Sequence, residues 1–197
     1  MILIKNIEVY APKSLGVKDV LIGGKEILQI DDNIDCNNAE IIDGKNKILT
    51  PGFIDNHVHV TGGGGEAGFF SKAPEVKCSN LIKGGITTVC GLLGTDGATR
   101  NIENLVSKLY GLRELGISAY GYTGSYRYPS NTLTGDIQKD IIFLDPIIGL
   151  KIALSDHRSS NISNHELARI AADTRVAGMI GKKRALLLCI WEMEKEL

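Results

Sequence analysis

His57 and His59 stand two residues apart in the stretch TPGFIDNHVHVTGGGGE, residues 50–66. In a strand, residues i and i+2 face the same way, so both imidazoles project from one side while Val58 faces the other. Neutral imidazole nitrogen is a good zinc ligand, at about 2.0–2.1 Å. By itself the His-x-His pair is a weak signal, equally compatible with two structural or solvent-facing histidines. Its context points to a metal: the strand precedes every other strand–helix unit, and a glycine-rich loop carrying Glu66 follows at once. That loop lacks GxGxxG spacing and is no dinucleotide fingerprint. Its glycines suit a backbone that approaches a ligand closely.

Lys151 is the second anomaly, standing at the start of an apolar strand in IIGLKIALSDHRSS. An ammonium is costly to bury there, and an edge lysine would simply snorkel to water. Beside a metal pair, burial would instead lower its pKa until it reacts with carbon dioxide. The resulting carbamate has two anionic oxygens and can bridge two cations. His157 and Arg158 follow in a polar loop, where a guanidinium fork suits a substrate carboxylate. Thr95, after the second strand, and Tyr126, after the third, lie where side chains line a pocket, although a turn threonine and a packing tyrosine read the same way. His165 falls near the start of a helix and reads as a surface or cap residue.

The elements that must position these residues alternate. GFIDNHVHV reads as a strand, PEVKCSNLIKGG as a helix, ITTVCGLLG as a strand and RNIENLVSKLYGLRELG as a helix closed by Gly116. ISAYGYTG is a third strand, DIQKDIIFLDPIIG a short helix, LKIALSD a fourth strand, and SNHELARIAADTRVAGMIG a helix opened by a Ser or Asn cap. Such alternation implies parallel strands joined by right-handed crossovers. Four units are half of a (β/α)8 barrel, which takes about 250 residues. Before Pro51 the chain is a run of short strands, MILIKNIEVY, KDVLIGGKEILQI and AEIIDGKNKILT, with Gly-Gly and Asp43-Gly44 as hairpin signals. The expected division is a β segment over 1–50, a partial barrel over 51–183 and an atypical tail over 184–197.

Composition narrows the function class. Apolar content of 43% and a net charge of −1 are ordinary for a globular protein and offer no basic footprint for nucleic acid. No apolar run approaches a membrane span, and no signal-peptide cleavage pattern opens the chain. Cys36, Cys78, Cys90 and Cys189 are scattered, as expected of reduced thiols in a cytoplasmic protein.

Taken together, PGFIDNHVH, HVHVTGGGGEAG, YTGSYRYPS, TLTGDIQKD and GLKIALSDHRSS resemble the amidohydrolase superfamily and, within it, the isoaspartyl (β-aspartyl) dipeptidase family, over residues 1 to about 183. The resemblance implies the first half of a metal-dependent (β/α)8 hydrolase barrel behind a small β-sandwich segment. It implies two zinc ions, with His57 and His59 as ligands of one and carboxylated Lys151 bridging both, sharing a hydroxide that attacks a β-aspartyl dipeptide. Glu66 would meet the substrate's amino group and Arg158 its α-carboxylate. Tyr126 would support the oxyanion, and Thr95 and Gly64 would line the pocket. A full-length chain of this family is expected to form homo-oligomers. A cyclic-amide hydrolase of the dihydropyrimidinase type shares the histidine pair and the lysine, but the glycine-rich loop with Glu66, and Arg158, favour the dipeptidase.

The family pattern also needs two histidines from strands five and six and an aspartate from strand eight, and this chain has none of them; His157 and His165 come too early to substitute. The expectation is a truncated, inactive chain, at most a non-catalytic fragment or interaction module, with strand four left as an open edge. The tail RALLLCIWEMEKEL does not read as the expected fifth strand. Codons compatible with it, read in a shifted frame, encode Gly-Ile-Thr-Val-Val-His-Met-Gly, a strand ending in histidine, which makes a frameshift the expected origin of the tail.

Overall fold

In the computed structural model residues 1–191 are described; the last six residues of the tail lie outside them. Two units separate at Gly52, Met1–Gly52 and the chain from Phe53 onward. In the first, the alternating run Ile2–Tyr10 is β1, and Ser14–Gly23 (β2) and Glu26–Asp31 (β3) form the expected hairpin, with Gly24 at φ 62° in its turn. Glu40–Asp43 (β4) and Ile48–Leu49 (β5) correct the second hairpin reading: both pair with β1, parallel to it, and not with each other. The Asp43-Gly44 step is a jog between them. Gly44 N–H donates to the Lys5 carbonyl at 2.7 Å, and a Cβ on Gly44 would meet that oxygen at 2.8 Å, so only glycine fits. The matching irregularity in β1, at Asn6, is held by buried Asp19, which accepts from Asn6 N–H at 2.9 Å and Ile34 N–H at 3.0 Å. Ile7, Val9 and Val20 form this unit's core.

The second unit follows the alternation: β6 (Phe53–Val58), α1 (Cys78–Lys83), β7 (Ile86–Gly91), α2 (Ile102–Glu114), β8 (Ser118–Gly124), α3 (Ile137–Phe143), β9 (Ile147–Ser155), α4 (Asn164–Gly181) and β10 (Leu186–Trp191). The strands are all parallel in the order β10-β9-β8-β7-β6. Sequential order with no reversal is barrel winding, not a doubly wound sheet. The fold is therefore a partial (β/α) barrel preceded by a small mixed β segment.

The helices form where local chemistry starts them. The Asn101 side chain accepts from Asn104 N–H at 2.9 Å to open α2, which buries Ile102, Leu105, Val106, Leu109 and Leu112 against the sheet. Gly116, at φ 92°, ends that turn of chain. Ser163 and Glu166 form a capping box at the start of α4. Val89, Ala119 and Ile147 from three neighbouring strands meet Leu105 and Leu109 in the main core. Truncating either leucine to alanine would cost about 2–5 kcal/mol. Among the described residues no helix is long and apolar enough to cross a membrane.

The structure departs from the sequence reading at the tail. Leu186–Trp191 forms a fifth parallel strand on β9, from Leu186↔Gly149 to Trp191↔Ser155, so the edge of strand four is paired and the open edge passes to β10. Gly149 admits this approach: a Cβ there would lie 2.0 Å from the Leu186 carbonyl oxygen.

Candidate active site at the C-terminal ends of the strands

The site begins at two successive carbonyls beyond β7. His59 Nδ1–H donates to the Leu92 carbonyl at 3.1 Å, and Lys151 Nζ donates to the Leu93 carbonyl at 2.7 Å. A carbonyl only accepts, so the proton of His59 sits on Nδ1 and Nε2 keeps its lone pair, the tautomer a metal ligand needs. The ring is accommodated by Gly94, where a Cβ would stand 3.2 Å from His59 Cε1. The two imidazole centroids are 5.6 Å apart and the planes lie edge to face. His59 sits one residue past β6, yet both rings reach the same region: burial, followed by the charge of Lys151, lowers the pKa of each. Both histidines are thus neutral at neutral pH.

Lys151 is fully buried within β9. Burial, with a smaller contribution from Arg158, lowers its pKa from 10.5 to about 7. Its Nζ lies 4.8 Å from the centroid of the Tyr126 ring. Among the described residues no three of His, Cys, Asp or Glu converge on one point. A metal held by His57 and His59 would therefore take Lys151 as its third donor. The fit depends on the sign of that group: an ammonium repels a cation, whereas its carbamate is an anionic oxygen donor. A lysine already deprived of water, with its pKa near neutrality, suits that conversion.

The rim is charged and mutually bonded. Glu66 Oε1 accepts from Thr95 Oγ1 at 2.9 Å and from Arg158 Nη1 at 2.9 Å. These two bonds, Thr95 first, hold the Glu66 carboxyl below its usual pKa. Gly64, at φ 67°, lines the same cleft as Glu66 and Thr95. A Cβ on Gly64 would meet the Ser71 carbonyl oxygen at 2.6 Å. The Arg158 guanidinium carbon lies 5.1 Å from the Tyr126 ring centroid, so that one ring stands near both cations.

The structure thus brings His57, His59, Lys151 and Tyr126 into one cluster and Gly64, Glu66, Thr95 and Arg158 into an adjoining one. His157 does not join them: its side chain is 74% exposed. His165 is exposed in the first turn of α4.

Three residues that hold the site are given no role by the sequence, although Asp156 lies within GLKIALSDHRSS and Asp140 within TLTGDIQKD. Buried Asp156 accepts from Arg158 Nε at 2.8 Å and Nη2 at 2.7 Å; its place two residues before the arginine was the available signal. Arg100 gathers the glycine-rich loop, donating to the carbonyls of Thr61, Gly63 (3.2 Å) and Ala73 (3.0 Å). Asp140, fully buried in α3, explains the stretch TLTGDIQKD. Its carboxylate accepts from Thr123 Oγ1 and Thr134 Oγ1, both at 2.6 Å, and from Leu133 and Thr134 N–H, both at 2.9 Å, tying down the loop beyond β8.

Comparison with known proteins bears on this geometry. No protein-family model matches the chain. The β-aspartyl dipeptidase of Fervidobacterium islandicum AW-1, solved in complex with β-Asp-Leu dipeptide, superposes with a TM-score of 0.89 and 46% identity, over 95% of this chain and 50% of that one. The chain matches half of a β-aspartyl dipeptidase. Dihydroorotases of Streptococcus pyogenes serotype M1 and Staphylococcus aureus N315 are 39% identical over 109 residues and 38% over 105. Each of these alignments takes in 53% of this chain and about a quarter of the dihydroorotase, 25% and 24%. A D-hydantoinase from Thermus sp., with TM-score 0.64 and 21% identity over 96% of this chain and 40% of that one, shares the fold. These homologues of the chain are hydrolases of the amidohydrolase type, and the chain spans about half the length of the dipeptidase it matches.

Proposed function

We propose that this chain carries the recognition half, and part of the metal half, of a site that hydrolyses β-aspartyl dipeptides. The observation that carries the reading is the Glu66–Arg158 pair, opposite charges 2.9 Å apart beside buried Lys151. An α-amino acid head presents the complementary pair, an ammonium for Glu66 and a carboxylate for Arg158. The β-Asp-Leu bound in the Fervidobacterium enzyme has such a head, and its side-chain amide extends away from it.

His57 and His59 would hold one zinc, and Lys151 as its carbamate would serve two. Carbamate formation needs only the neutral amine: its lone pair bonds to the carbon of CO2 and a proton leaves for solvent. Zinc bound there would lower the pKa of water and polarise the scissile carbonyl. The chain's own residues do the rest. The Leu92 carbonyl keeps the His59 proton on Nδ1, Thr95 would orient Glu66 toward the substrate's ammonium, and Tyr126 would donate toward the developing oxyanion. Gly64 lets the loop backbone close on the dipeptide.

The test is zinc content and isothermal binding of β-Asp-Leu by the 197-residue protein, with hydrolysis measured alongside. Zinc retention that falls in Lys151→Ala, with saturable β-Asp-Leu binding lost in Glu66→Gln, is the expected result. The described residues offer three donors to a two-metal site, so turnover is expected to lag far behind binding. The dihydroorotase alignments favour a second reading, cyclic-amide hydrolysis. Binding or turnover of dihydroorotate or dihydrouracil, with none of β-Asp-Leu, would establish it and overturn the first.

A further inference from the structure

Asp156 follows directly on β9, and its side chain is 2% exposed. It accepts three hydrogen bonds from one residue: Arg158 N–H and Nε–H on Oδ1, both at 2.8 Å, and Arg158 Nη2–H on Oδ2 at 2.7 Å. A guanidinium has two edges that fit a carboxylate, the side edge (Nε and one Nη) and the end edge (both Nη). Asp156 occupies the side edge. The Tyr126 ring stands near the guanidinium, 5.1 Å from Cζ. What is left is the end edge, where Nη1 now donates to Glu66.

We infer that Asp156 is the positioning residue that reserves the end edge of Arg158 for the substrate's α-carboxylate, and so sets the preference for dipeptides that carry one. This rests on the β-aspartyl dipeptide reading. A free arginine side chain has many rotamers; one clamped by a buried carboxylate meets its ligand already oriented. Both oxygens are needed. An asparagine keeps the shape but turns an N–H2 toward one of the two guanidinium donors, which unseats the fork.

The experiment compares two probes on the zinc-loaded 197-residue protein by titration calorimetry: β-Asp-Leu, and β-Ala-Leu, which is the same molecule without the α-carboxylate. The wild-type chain is expected to prefer β-Asp-Leu by about tenfold or more, as a charge-assisted bidentate contact implies. Asp156→Asn should remove most of that preference and leave β-Ala-Leu binding where it was. Asp156→Glu, which keeps the charge but displaces the fork, should lose the preference in part. A variant that retains the full preference, or weakens both probes in parallel, overturns the inference and leaves the dipeptide reading standing. A wild-type chain that binds neither probe, or both alike, sinks the dipeptide reading and the inference with it. If neither variant keeps the wild-type circular dichroism and zinc content, Asp156 is structural and the inference fails.

Discussion

Lys151 and Arg158 are both cations carried on β9 or just beyond it, and both lie near the ring of Tyr126, yet their surroundings differ in every other respect. The ammonium of Lys151 is buried and donates to the Leu93 carbonyl, and its pKa falls to about 7. The guanidinium of Arg158 is bonded to two carboxylates, and its pKa rises, first through Asp156 and also through Glu66. One cation is held where it gives up its proton readily. The other is set to stay charged and grip. The difference lies in surroundings: burial lowers the pKa of the Lys151 ammonium, whereas the carboxylates of Asp156 and Glu66 hold the partly exposed Arg158 guanidinium charged.

The same substitution at the two positions should therefore act with opposite sign. Lys151→Met replaces a poorly solvated cation by an apolar chain of similar length and should stabilise the zinc-free protein at pH 6 by roughly 3–5 kcal/mol at most. The pH dependence sharpens this. Between about pH 7 and 10.5 the unfolded lysine holds a proton that the folded one has lost. Stability of the zinc-free wild type in CO2-free buffer should thus rise with pH across that window and stay flat below it, and Lys151→Met should abolish the rise. Urea melts followed by circular dichroism at pH 6 to 10 decide the matter.

Arg158→Met should destabilise by about 2 kcal/mol, because it takes both guanidinium donors from the buried Asp156 carboxylate and leaves it the backbone N–H of residue 158. A neutral result in urea melts would mean that Asp156 finds other partners. Gly64→Ala tests the loop instead of the cations. It forces a side chain into φ 67° against the Ser71 carbonyl, and a loss of about 1–2 kcal/mol in stability is expected. Thr95→Val should be the mildest, within about 0.5 kcal/mol in stability, since Glu66 is half exposed and keeps Arg158. Its effect should appear as weaker β-Asp-Leu binding.

How far the sequence announces all this varies by residue. The alternation of strands and helices is legible because each element buries one face, and Ser163 with Glu166 writes a helix start in four letters. His57, His59 and Lys151 are legible because imidazole pairs and a lysine in an apolar strand are unusual where they stand. Asp43-Gly44 misleads: the dipeptide fits a hairpin locally, and only the long edge of β1 shows that two short strands can share it. Leu186–Trp191 misleads in the other direction, since its place depends on the bare backbone of Gly149 far upstream. Arg100 lies in no motif, and TLTGDIQKD contains Asp140 without revealing what it binds. Their work is to collect backbone groups from loops, and no spacing rule encodes partners that the fold itself brings near.

The Glu66–Arg158 bond joins residues 92 apart in the chain, and Lys151 reaches a carbonyl 58 residues away. Contacts of that span carry a loop-closure cost that nothing local repays until β6 through β9 are already side by side. The charged rim is thus among the last parts of the protein to come together as the chain folds. A chain that has stalled with its sheet unfinished holds every residue of the site and none of its geometry, so ligand binding can serve as a direct clock for the end of folding.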